Sequence, residues 1–339
     1  MAWSLTYFQV QICKSVTIRK RSAIMKTRIL VSMMGFSLML WFAGCSEHDS
    51  SMTIDQLAVQ DELEQDADDL YNIDLIADGD GLNFSKSSST NSPIEPLGYG
   101  RRVKEVRNQR IESRHFSVDV AEDGQSAEAT ITFVLRGTFV IRTADSATRT
   151  HGFFLKPFVH QIQRKASFSR NPDTTATRRW IRNWLSPAYG ISRDGTLALT
   201  GDITITVAHS DESTSVYTIN QDPLSSHFTV DDLPAITAGD VVTIEVPVAN
   251  SNTSDKPYGI VHRGRHVQPL SRVKNICNDD GVDGDVTAND GVYTTQWTVE
   301  DNGITGYHLG IIDLFSSSTI FDDTEPYNSL VVALPYSKQ

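Results

Sequence analysis

The chain has 339 residues, with 30 Lys and Arg against 42 Asp and Glu. Residues 1–45 hold six of the basic residues and none of the acidic ones, so the remainder carries 24 against 42, a net charge of −18. That balance argues against nucleic acid or an anionic lipid surface as the target of residues 46–339. Of three cysteines, Cys13 and Cys45 lie in the first 45 residues. Cys277 is then left without a partner, so the folded part must rest on its apolar cores.

Residues 25–45 have the pattern of a secretory signal. Lys26 and Arg28 form a basic start, Ile29 to Phe42 is uncharged, and the small pair Ala43-Gly44 precedes Cys45. The run falls short of the roughly 18 apolar residues that a spanning helix needs. Phe42-Ala43-Gly44-Cys45 resembles the bacterial lipobox, with Phe42 standing where Leu is usual. The resemblance implies diacylglycerol on the Cys45 thiol, cleavage before Cys45 and acylation of its new amino group. Two or more acyl chains anchor stably where one binds reversibly. Ser46 follows, where Asp is the inner-membrane retention signal of such lipoproteins, so the resemblance implies the outer membrane, on either face. The alternative is an ordinary cleaved signal that ends at a cysteine by chance. Residues 1–45 are thus leader and lipoprotein signal, with Met25 as the natural start. Residues 46–52 form a polar tether.

Thr53-x-x-Gln56 predicts a capping box that opens a helix. Val59, Leu63, Ala67, Leu70 and Tyr71 make its apolar face. The opposite face, from Asp61 to Asp69, is acidic; it is either solvated or attracts a partner. Asp78 to Glu95 is rich in Gly, Ser, Asn and Asp and predicts a long loop. Arg101, Arg102, Lys104, Arg107, Arg110 and Arg114 form a basic cluster, available to pair with the acidic helix or to hold an anion.

From His115 the pattern alternates with period two. Phe116, Val118 and Val120 lead to a Glu122-Asp123-Gly124 turn. Ala127 to Ile141 forms a very long strand, in which Gly137 predicts a bend or bulge. The next strand puts Phe158, His160, Ile162, Arg164, Ala166 and Phe168 on one face. Another follows over Arg178 to Leu185, with Trp180 and Trp184 on the same side. One helix before long antiparallel strands predicts an α+β layout for residues 53–190. This element order, with the Trp-x-x-x-Trp-Leu-Ser-Pro ending, resembles the nuclear-transport-factor-like (SnoaL-like) domain. The resemblance implies a cone-shaped α+β domain with a pocket. His160 and Arg164 are its candidate pocket residues, His160 as a base whose neutral form a nearby guanidinium favours. The alternative is a core histidine bonded to a backbone carbonyl, with Arg164 at the rim.

Residues 195–336 differ in texture. Short alternating runs, among them Ile203 to Val207, Val242 to Val248, Tyr293 to Val299 and Leu330 to Leu334, are separated by Asp-Gly, Asn-Gly and Pro, which predicts a β-sandwich. Pro247 predicts an edge or a bulge. Asn278-Asp279-Asp280-Gly281-Val282-Asp283-Gly284-Asp285 and Ala288-Asn289-Asp290-Gly291-Val292-Tyr293, with Ala238-Gly239-Asp240 upstream, resemble immunoglobulin-like modules of bacterial envelope proteins, including the choice-of-anchor X type. The resemblance implies an all-β immunoglobulin-like sandwich and says nothing about catalysis. Asp279, Asp283, Asp285 and Asp290 stand at positions one, five, seven and twelve of a twelve-residue loop with Gly284 at six, which is part of a calcium-loop spacing. The alternative is two tight turns, since Asp and Asn bond their own backbone and tolerate left-handed conformation. His262 and His266 bring two imidazoles across a turn, with no third ligand for a metal.

Two functions follow as expectations. One is a lipid-anchored envelope protein with a binding or structural role, its partners the membrane through Cys45 and an envelope protein or glycan. The other is a small-molecule enzyme, for proton transfer or hydrolysis, with His160 as base.

Overall fold

The computed structural model describes residues 53–65, 82–85, 101–144, 151–264, 273–282, 284–301 and 305–339. The capping box forms as predicted: Gln56 N donates to Thr53 Oγ1 at 3.2 Å and Thr53 N to Gln56 Oε1 at 2.7 Å. It opens α1 (Ile54–Gln65). Val59 is buried in a cluster with Val118, Ala127, Ala166, Phe168 and Trp180. The acidic face of α1 pairs with Arg170 (to Asp55, 3.1 Å) and Arg178 (to Glu62, 3.5 Å), neither of them in the 101–114 cluster. The predicted helix positions beyond 65, and Cys45 with its leader, lie outside the described residues.

The strands begin with β1 (Leu82–Ser85), β2 (Arg101–Val120), β3 (Ser126–Ala144) and β4 (His151–Arg170). β2 takes in the whole basic cluster. The β2–β3 turn is the predicted one, with Gly124 at φ +65° and Asp123 Oδ1 accepting Gln125 N. Gly137 stays in register with Phe158 of β4. The bulge lies opposite it in β2, where Asn108 and Gln109 face the single residue Gly137.

β5 (Trp180–Leu185) pairs with β4, and a register shift there sets Arg170 opposite Trp180 but Ser167 opposite Trp184. The shift reverses side-chain parity. Trp180 is therefore in the core, while Trp184 lies on the other face, stacked on His227 at 3.6 Å. The expectation of one shared side fails for this reason.

β6 (Ala188–Ser192) decides the architecture. It pairs with β4 on one side and with the C-terminal strand β16 (Ser329–Lys338) on the other. β16 is followed across the sheet by β15 (Gly306–Ser316), β12 (Pro257–Gly264) and β13 (Val273–Cys277). With β10 (Ala235–Ile236) beside β16, this makes an 11-stranded sheet, antiparallel except for the β10–β16 pair. The described residues form one compact unit.

The α+β cone followed by a separate sandwich is thus corrected. Among the described residues helix is confined to α1, the five-residue α2 (Ser317–Phe321) and a 3-10 turn at Pro223–Ser225. The boundary expected between 190 and 195 falls inside one sheet. β6 has partners on both edges, and stopping the sheet there would strand its backbone N–H and C=O groups.

A second sheet has the order β14 (Val292–Thr298), β11 (Val241–Asn250), β8 (Ile203–Ala208) and β9 (Thr214–Ile219), with β7 (Leu197–Leu199) also on β11. Pro247 is in the central strand, at the gap where β8 pairing ends at Glu245 and β7 pairing begins at Val248. No ladder partner there asks for its missing N–H. The inward rows of this sheet (Ile203, Ile205, Val207, Val242, Ile244, Val246) pack on Val261, Cys277, Ile312, Leu330 and Val332 of the large sheet. The result is a β-rich, sandwich-like fold.

The other face of the large sheet buries Leu135, Phe139, Phe158, Ile162, Ile311 and Val331, with Ile320 of α2 and Tyr327 packed onto them. Asp255 holds α2 by accepting Ser318 N and Ser317 Oγ, each at 2.8 Å. Lys156 Nζ donates to the carbonyls of Ser318 (3.0 Å) and Asp322 (2.5 Å); Ser318 O also accepts Asp322 N at 3.0 Å, while Asp322 itself is the C-cap of α2.

Candidate functional site

His160 and Arg164 lie four positions apart on β4, in one parity with Phe158, Ile162 and Phe168, and all five are buried on that side. His160 has no exposed surface. Its Nε2 is 3.1 Å from Ser329 Oγ and 3.4 Å from Ser329 O. A Cβ on Gly190 would come within 2.8 Å of the ring, so glycine at this position lets the imidazole lie against β6. Ser329 N in turn donates to Ser192 Oγ at 2.9 Å. His262 shares this face and stands 3.6 Å from Asp313 Oδ2, while His266 lies outside the described residues. The geometry is that of hydrogen-bonded core polar groups, and it offers a substrate no approach to His160.

The loop acids are engaged with backbone. Asp279 accepts Asp290 N (3.0 Å) and Gly291 N (3.3 Å), and Asp285 accepts Gly281 N (2.6 Å) and Thr287 N (3.2 Å). Gly281, Gly284, Asn289 and Gly291 take positive φ, as tight turns require. Burial pushes the Asp279 carboxyl up, and the charges of Asp290 and Asp285 add to this against the two backbone amides. Asp283 lies outside the described residues, and among those described no group of three His, Cys, Asp or Glu gathers as a metal site. Cys277 is buried, and burial pushes its thiol up to about 12, so it packs rather than reacts.

One constellation has no signature in the linear sequence. His209 Nε2 is 2.9 Å from Ser215 Oγ, and its Nδ1 is 3.1 Å from Asp240 Oδ2. The connectivity is that of a nucleophile, base and acid. Asp240 is buried and also accepts Thr237 N (2.7 Å) and Ser210 N (3.3 Å), so it ties the β8–β9 hairpin to the turn before β11. We read it as that tie. Asp240→Ala is expected to lower stability by about 2–4 kcal/mol, and Ser215→Ala by about 1 kcal/mol or less. Urea unfolding measures both. Covalent labelling of Ser215 by a fluorophosphonate would instead show a working nucleophile.

A cavity lies between the two sheets. It encloses about 500 Å³ of atom-free space including its mouth, of which about 50 Å³ admits the centre of a water molecule. Ile205, Ile244, Val261, Ile312 and Leu334 line its walls, and Arg263, Trp297 and Tyr336 also border it. It forms because Gly310 presents no side chain where its neighbours on the inward row of β15 are buried. Sequence reasoning found the strands that enclose it but not the cavity. No protein-family model, curated protein or solved structure matches the chain.

Proposed function

We propose that the chain is a lipid-anchored protein of the bacterial envelope, held at the outer membrane through Cys45, and that its sandwich binds a small apolar molecule. The signal and lipobox pattern of residues 25–45 supports the anchoring. Among the described residues no helix is long and apolar enough to cross a membrane. The turn-rich 278–294 segment supports kinship of the sandwich with immunoglobulin-like envelope modules. The observation that carries the binding reading is the apolar cavity between the sheets, since ligand sites are concave and mostly apolar with a few placed polar groups.

The test uses the exported chain carrying Cys45→Ala, which needs no detergent that would compete for an apolar site. Titration with 1-octanol is expected to show saturable binding at one site, with a Kd on the order of 0.1–1 mM. Gly310→Val should abolish it. A Cβ at Gly310 stands 3.5 Å or more from its nearest neighbours, so the β-carbon itself meets no clash, and the unfolding midpoint of the variant is measured beside its binding. Octanol binding that is absent, or that survives Gly310→Val unchanged, would sink the reading.

A further inference from the structure

Among the described residues Arg263 is in ion-pair contact with no carboxylate, and Glu300 and Tyr336 act on it only through their charge. Arg263 sits at the end of β12 and borders the apolar cavity. Its Nε donates to Asn275 Oδ1 at 2.9 Å, and its guanidinium lies 5.0 Å from the centre of the Trp297 ring. Partial burial lowers its proton affinity and so disfavours the charge it carries. A half-buried cation in apolar surroundings is costly unless something pairs with it.

A second group at the same cavity also lacks a partner. The Trp297 indole Nε1 is buried and has no hydrogen-bond acceptor among the described residues. Buried indole N–H groups ordinarily find one. Both groups only donate, and apart from Tyr336 the walls beside them are mostly aliphatic. The missing partner is therefore an acceptor that arrives from outside the fold, attached to an apolar body.

Resting on the reading of the cavity as a binding site, we infer that its ligand is a monoanionic amphiphile, a carboxylic acid with an aliphatic or aryl body. Its carboxylate pairs with Arg263 and accepts from Trp297 Nε1, and its apolar body enters between the sheets. Asn275 occupies the Arg263 Nε, which leaves the two terminal nitrogens to present an end-on fork to two carboxylate oxygens. One cation neutralises one negative charge, which favours a monoanion over a phosphomonoester. Anchoring on the Trp297 face keeps the guanidinium oriented before the ligand arrives.

The test compares octanoate with 1-octanol, which share a chain length and differ at the head. With the chain carrying Cys45→Ala at pH 7.5, octanoate is expected to bind at least tenfold more tightly than octanol. In Arg263→Gln the two should bind within about twofold of each other. Trp297→Phe keeps an aromatic ring and removes the donor, and should cut the preference for octanoate over octanol several-fold. It keeps the inference testable should Arg263→Gln fold poorly. Equal binding of acid and alcohol by the native chain, or a preference that persists in both variants, would overturn the carboxylate inference alone. Binding of neither compound would overturn the cavity reading with it.

Discussion

Tyr327→Ala is expected to lower the stability of the chain by about 3–5 kcal/mol, the range for removing a large buried aromatic side chain. Tyr327 is 6 % exposed, and its ring centre lies 5.0 Å from those of both Phe139 and Phe158. It is thus a contact between the long β3–β4 ribbon and the segment leading into β16. Tyr327→Phe keeps that packing and loses only the hydroxyl contact with Ser329, for about 1 kcal/mol. Urea midpoints for the two variants separate the effects, and a Tyr327→Ala midpoint equal to that of the parent would refute the role. The same residue sets a pH dependence. Burial pushes the Tyr327 phenol far above its ordinary 10.0, with the Asp313 charge adding to it, and burial takes Tyr258 up to about 12. A raised acid binds its proton more tightly in the folded chain. These groups therefore cost nothing below pH 9 and subtract stability above the ordinary tyrosine range, where only the unfolded chain ionises. Tyr327→Phe should flatten that alkaline loss.

Cys45→Ala is expected to move the protein completely from the membrane fraction to the soluble fraction. With two or three acyl chains the anchor is stable; without them nothing in the −18 charge of residues 46–339 attracts an anionic surface. The intact mass of the membrane-extracted parent should exceed that of residues 45–339 by the acyl additions and should lack residues 1–44. A Cys45→Ala protein that stays with the membrane would refute the anchor. This outcome is independent of the cavity, so the two halves of the proposed function fail separately.

Which features were legible in the sequence follows from the range over which their causes act. The α1 cap, the Gly124 turn, the Asp-Gly turns at 281 and 291 and the buried parity of His160 and Arg164 depend on a few adjacent residues, and the structure shows each where the pattern put it. Period two assigns the faces of a strand without reference to its partner. A single inserted residue defeats it, as the bulge before Trp184 does.

The features missed are those set by partners distant in sequence. The pairing of β6 with β16 joins residues 145 apart (Ala188 with Ala333) and turns an expected cone and sandwich into one 11-stranded sheet with a second sheet packed on it. Asp313 beside His262, Asp240 beside His209 and Asn275 beside Arg263 are likewise products of strand register. The sequence by itself determined the strands, their faces, their turns and the case for lipid at Cys45, because propensity, alternation and cleavage motifs are local. Only the tertiary structure decided which strands are neighbours and where space remains between the sheets, because pairing is chosen by the burial and hydrogen bonding of the whole chain at once.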